Sequence, residues 1–161
     1  MNMLNPQLAL YDEELTEIRE VADRLHQDSR ARTILIVDKN GQLIAASGVD
    51  AELDTTSLSS LVAGNVAATG GIAKLIEEEE FTGQYHEGKE ISVHMTIVAR
   101  RIILVVLFDK NTTQGLVRLR VKKANEALTT IFDTLAAKPK GAQEDVFKEI
   151  TDEDIDNLFG P

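Results

Sequence analysis

Cysteine is absent from the 161 residues, and so is tryptophan. Without cysteine the chain has no disulfide, no thiolate metal site and no cysteine nucleophile, and a reducing compartment suits it. Aromatic residues make up only 4% of the chain, which argues against an aromatic-lined ligand pocket. The opening stretch MNMLNPQLALYDEE has no basic start and no long apolar run, so no signal peptide is expected and a cytoplasmic location is. Positive charge is scarce as well: 17 Lys and Arg against 27 Asp and Glu leave a formal charge of −10. That balance argues against nucleic acid and anionic membrane as main partners.

The most informative absence is local. Between Asp54 and Lys74 there is no charged residue. The stretch 54–80 reads DTTSLSSLVAGNVAATGGIAKLIEEEE, with Asp54, Thr55 and Thr56 as capping oxygens at the start of a helix. Leu58, Leu61, Val62, Asn65, Thr69, Ile72 and Ile76 fall on one side at helical spacing, so that side is expected to face the core. The opposite side carries Ser60, Ala63, Gly64, Ala67, Gly70, Gly71 and Lys74. Three glycines inside one helix cost about 2–3 kcal/mol against alanine. A smooth, uncharged, small-residue face suits close approach by another surface. The alternative is a helix buried on both sides within its own chain. The polar Asn65 and the many Ser and Thr make a membrane span a poor reading. The partner is a second copy, another protein, or both.

The flanking segments fill in an α+β fold of one domain. Residues 11–28 predict an amphipathic helix with Leu15, Ile18, Val21, Ala22 and Leu25 inward. TILIVD at 33–38 reads as a strand, Lys39-Asn40-Gly41 as a hairpin turn, and 42–47 as the returning strand. The polar stretch 81–88 predicts a short exposed edge strand. Residues 90–98 alternate, with Ile91, Val93, Met95 and Ile97 on one face and Ser92, His94 and Thr96 on the other. After a turn at 99–101, IILVVLF at 102–108 is apolar throughout and needs cover on both faces. Residues 111–113 cap a last helix over 114–137, whose first half is basic with Arg118, Arg120, Lys122 and Lys123. The order α-β-β-α-β-β-β-α implies a five-stranded antiparallel sheet, the central helix on one face and the outer helices on the other. Residues 1–10 are an extension, 138–143 (starting Lys-Pro-Lys-Gly) a linker, and 144–161 an acidic tail. The tail holds seven acidic residues and one Lys, with Thr151 and Asp154 in a capping-box-like start. Its Ile155, Leu158 and Phe159 suit a short docking helix; a frayed acidic tail fits the same residues.

No motif that carries chemistry is complete in this sequence. Gly64, Gly70, Gly71 and Lys74 lack phosphate-loop spacing. Asp152, Asp154 and Asp156 resemble the start of a calcium loop, but the required glycine is Asn157. His26, His86 and His94 have no ligand spacing. Arg100 and Arg101 at a hairpin turn read as surface charges before they read as a finger into a partner's phosphate site. Catalysis, cofactor and metal are therefore not expected.

Four stretches carry a resemblance. They are VDKNGQLIAASG at 37–48, DTTSLSSLVAGNVAATGGIAKLI at 54–76, VVLFDKNTTQGLVRLRVKKA at 105–124 and ITDEDIDNLF at 150–159. With them the chain resembles the Roadblock family, small dimeric domains allied to dynein light chains and profilin-like folds. The domain match runs over about 11–137, and the tail match points to the bacterial motility branch. The resemblance implies a homodimer with paired central helices and a sheet continued across subunits. It implies a GTPase-activating regulator of a Ras-like, MglA-like small GTPase in cell polarity and gliding motility, concentrated at a cell pole. Such regulators supply no arginine finger; they bind the GTP form and favour its hydrolysis-competent arrangement. On this sequence Ser60, Ala63, Gly64, Ala67, Gly71 and Lys74 would form the docking face, and Ile155, Leu158 and Phe159 a second contact. The alternatives are a passive scaffold that binds a GTPase without changing hydrolysis, and a ligand-sensing α/β domain.

Overall fold

A computed structural model describes residues 12–137. The expected extension, linker and tail lie outside the described residues, as do Ile155, Leu158 and Phe159. Element order is α1 (Asp12–Ser29), β1 (Thr33–Asp38), β2 (Leu43–Ser47), α2 (Thr55–Leu75), β3 (Gly83–His86), β4 (Ser92–Val98), β5 (Ile102–Phe108) and α3 (Gln114–Ala137). The five strands form one antiparallel sheet in the order β2-β1-β5-β4-β3.

Burial of β5 fixes this arrangement. All seven of its residues are buried, as are all six of β1, and the two strands pair at the middle of the sheet. On one face Ile34, Ile36, Ile102, Leu104, Val106 and Phe108 pack with Ile18, Leu25, Val117, Val121, Leu128 and Phe132 of α1 and α3. On the other Leu35, Val37, Met95, Ile103, Val105 and Leu107 pack with Val62, Ala63 and Val66 of α2. The polar β3 takes one edge of the sheet, where a strand needs no second partner.

The turns follow from local chemistry. The Asp38 carboxylate accepts from the backbone N–H groups of Asn40 and Gln42, both at 2.9 Å, and Gly41 takes φ +90°. A Cβ on Gly41 would lie 3.1 Å from the Ser60 Cα, so the hairpin tip sits directly against α2. Asp54 caps α2, accepting from the Ser57 N–H at 3.0 Å and the Ser57 hydroxyl at 2.7 Å. These bonds hold the Asp54 carboxyl below its ordinary range. Thr113 caps α3 by accepting from the Leu116 N–H at 3.2 Å. The Thr112 hydroxyl donates to the Ser29 carbonyl at 2.6 Å and ties the start of α3 to the end of α1. These two helices therefore run antiparallel.

His94 of β4 lies on the α3 side of the sheet, half-buried, with Nε2 3.0 Å from the Thr96 hydroxyl. Burial first, and the positive Arg118 second, push its pKa below the ordinary 6.5. The unfolded chain therefore takes up this proton more readily than the folded one. The stability linked to neutral His94 is whole above pH 6.5 and is lost as pH falls through the folded value. In thermal unfolding from pH 7.5 to 5 we expect the wild type to lose more stability than His94→Gln; parallel losses would refute the assignment.

Candidate partner interface

Helix α2 crosses the sheet from the β2 edge to the β3 edge, and its rotation about its own axis decides what it offers outward. The residues it buries are Ser59, Val62, Ala63, Val66 and Ala73. Leu61 is 71% exposed, Ile72 52%, Leu75 86% and Ile76 58%. The expected core face is thus overturned in part: Val62 is buried and Leu58 packs against the core as expected, but the other large residues are not inside. Leu61, Ile72 and Ile76 point to solvent, and the buried face lies about a quarter-turn away at roughly 100° per residue. Small residues face the sheet because the helix lies close to it, with the β1–β2 hairpin tip at Ser60.

Of the expected helix-face residues, Ser60, Gly64, Ala67, Gly71 and Lys74 are exposed. Ala63 turns inward, 8% exposed, and does not share their surface. The outward face therefore has two flanks. One is a ridge of Leu61, Ala68, Ile72 and Leu75, at the i, i+7, i+11 and i+14 positions of one stripe. The other is the smooth strip of Ser60, Gly64, Ala67 and Gly71, ending in Lys74. The ridge is the part that periodicity missed. The one signal for it was the line of Ser59, Ala63, Val66 and Ala73, a small-residue stripe as able to face a sheet as a partner.

The glycines of this face are unexplained by the protomer itself. A Cβ on Gly64, Gly70 or Gly71 would meet nothing within 4 Å. Among the described residues no helix is long and apolar enough to cross a membrane.

Neighbouring elements fix the ends of the helix. Gln84 of β3 donates to the Thr69 hydroxyl at 2.7 Å, and that hydroxyl bonds back to the Asn65 carbonyl at 3.0 Å. At the far end Glu77 takes φ +62° and the Glu78 N–H donates to the Ala73 carbonyl at 2.8 Å, a Schellman-type close with glutamate where glycine is usual. Beside it Lys39 pairs with Glu80 at 3.2 Å and Arg100 with Glu79 at 3.5 Å. The Arg100 pair is exposed on both sides, so it adds little stability. Arg100 and Arg101 do occupy the β4–β5 turn, with Ala99 at φ +53° and Arg100 at φ +57°.

Among the described residues no group of three His, Asp or Glu is placed to hold a metal. What the surface offers is shape: an apolar ridge beside a strip where backbone is open to close contact.

The open space at the glycines gives a direct expectation. In dilute protein Gly64→Ala should raise the unfolding free energy by about 0.5–1 kcal/mol, read from chemical denaturation. A loss of stability would mean that a surface already lies against the helix there.

Comparison with known proteins agrees with this architecture. Residues 17–108 match the Roadblock/LC7 domain. Myxococcus xanthus MglB is 57% identical, with TM-score 0.76, over 80% of this chain and 96% of that one. The gliding protein MglB of Thermus thermophilus is 31% identical, with TM-score 0.74, over 80% and 97%. A Roadblock/LC7 domain from Streptomyces avermitilis shares the fold at 10% identity, with TM-score 0.62, over 71% and 96%. No curated protein sequence matched. The exposed crossing helix, the sheet beneath it and these likenesses together place the chain in the Roadblock/LC7 family.

Proposed function

We propose that the chain is a homodimeric regulator of a Ras-like, MglA-like small GTPase and accelerates its GTP hydrolysis. The observation that carries this reading is the orientation of α2. It turns Leu61, Ile72, Leu75 and Ile76 to water, and no charged residue lies between Asp54 and Lys74. Several exposed large apolar residues in one row call for protein cover. The likeness to two MglB proteins supplies the kind of partner.

The two flanks divide the work. The ridge pairs with the same ridge of a second copy about a two-fold axis, where identical surfaces meet. The polar edge strand β3 pairs with its own copy and continues the sheet. The smooth strip Ser60, Gly64, Ala67, Gly71 and Lys74 receives the GTPase, because backbone is exposed there and a partner comes close. The tail residues Ile155, Leu158 and Phe159 make a second contact with it. No residue of this chain enters the chemistry. The GTPase's own groups are aligned because the regulator binds the hydrolysis-competent GTP state more tightly than the resting one. In the cell the protein concentrates at a pole and sets polarity for gliding. If binding is equal for both states, the same surface makes only a passive scaffold.

Single-turnover GTP hydrolysis by an MglA-like GTPase, with and without the protein, separates these outcomes. Acceleration is expected, and it should survive single substitution of Arg100 or Arg101. Ala67→Arg with Gly71→Arg should keep the fold and lose GTPase binding. Leu61→Asp with Ile72→Asp should shift sedimentation from dimer to monomer. Unaltered binding by the arginine pair, or a dimer untouched by the aspartates, would overturn the assignment of the flanks.

A further inference from the structure

On the face opposite α2, the outer strands β4 and β3 extend past the flank of α3. Tyr85 pairs with His94 across these strands, so both point to the α3 side. The Tyr85 ring is stacked on Phe108 with centroids 6.0 Å apart, and the residue is 37% exposed. His94 Nδ1 is buried and has no hydrogen-bond partner among the described residues. Arg118 of α3 is close enough for its charge to act on His94. Lys122 follows one turn later on the same flank.

Arg118 and Lys122 are both exposed, and neither joins an ion pair among the described residues. Like charges at i and i+4 oppose the helix by about 0.2–0.5 kcal/mol. In a chain of net charge −10 an unneutralised cation pair beside an exposed aromatic ring is out of character. The trough between α3 and the β3–β4 edge thus has a cationic wall and a floor of the Tyr85 ring and the half-buried His94.

The same chain carries a complementary segment. Residues 144–161 hold seven acidic residues and one Lys, with Ile155, Leu158 and Phe159 among them. Reach is sufficient. From the end of α3 at Ala137, Lys122 lies about 22 Å and Arg118 about 28 Å back along the axis. Residues 138–151 span up to about 45 Å when extended. Another opening on this face, a groove of about 380 Å³ between α1 and α3, is a poorer receptor. Its Glu17, Glu20 and Asp28 offset the cations Arg24, Arg120 and Lys123 that line it with them, so it offers an acidic segment no net positive charge.

We propose that residues 144–161 dock in cis on this trough, the acidic run 152–156 against Arg118 and Lys122 and the apolar residues against Tyr85. The contact is independent of the GTPase reading. It gives the apolar tail residues cover on their own protomer when no partner holds them.

The absence of cysteine makes the test simple. Asn157→Cys in the full chain accepts a single nitroxide, and paramagnetic broadening of amide signals reports what lies near it. The isotope-labelled, spin-labelled protein is measured in a large excess of unlabelled wild type, so that a tail acts on its own protomer. The signals of Tyr85, His94, Arg118 and Lys122 should be at least halved, and should recover at about 0.5 M salt, where screening is nearly complete within a few ångströms. Arg118→Glu with Lys122→Glu should abolish the broadening. So should Asp152→Asn with Asp154→Asn and Asp156→Asn, a change outside the folded domain. Broadening that is absent, that survives either variant, that falls on α2 or the α1–α3 groove, or that appears only without dilution overturns the proposal.

Discussion

Strand β5 can have neither face in water, and most of the molecule follows from that. Ile102 to Phe108 put four side chains on one side and three on the other. Each set removes large apolar area from water at about 25 cal/mol per Å², so exposing either face would cost several kcal/mol. Two layers of helix are therefore required, and β5 must have a strand on each side. The chain supplies β1 and β4 as those neighbours, α1 and α3 as one layer, and α2 as the other.

One helix must cover the second face alone, and α2 does so while crossing from one edge of the sheet to the other. A single helix covers a face fully only by lying close to it. Ser59, Ala63 and Ala73 permit that approach, and Gly41 keeps the hairpin from obstructing it. The consequence is that the larger residues of the helix, Leu61, Ile72 and Leu75, are left on the outside. Packing within the protomer and presentation to a partner are thus two results of one geometry. A protein that used its leucines to seal its own sheet would have nothing apolar to offer.

The opposite layer distributes charge in a different way. Helix α1 is acidic where it flanks the groove with α3, whereas α3 is basic in its first half. On the flank of α3 away from that groove, Arg118 acts on His94 and Lys122 follows one turn later, with no carboxylate paired to either among the described residues. The net negative charge is therefore not spread evenly: one side of the sheet shows a largely uncharged, apolar helix face on α2, and the other shows exposed cations on α3.

The elements themselves were legible in the sequence. Alternation at 90–98, the unbroken run at 102–108, the Asn-Gly turn and the Asp54 cap each depend on neighbours a few residues away. The helix over 114–137 ends where its apolar spacing does. Interior places for β1 and β5 and an edge for β3 also followed, because burial demand is written in composition. The rotation of α2 was not legible. Its residues are apolar or small almost all round, so 3.6-residue spacing marks no single stripe, and choosing the larger side chains for the core was the natural reading. Only the assembled sheet decides the matter, since the distance between helix and strands selects residues by size rather than by hydrophobicity. The sequence by itself determined what this chain must bury; the tertiary structure decided which apolar residues were left for something else to cover.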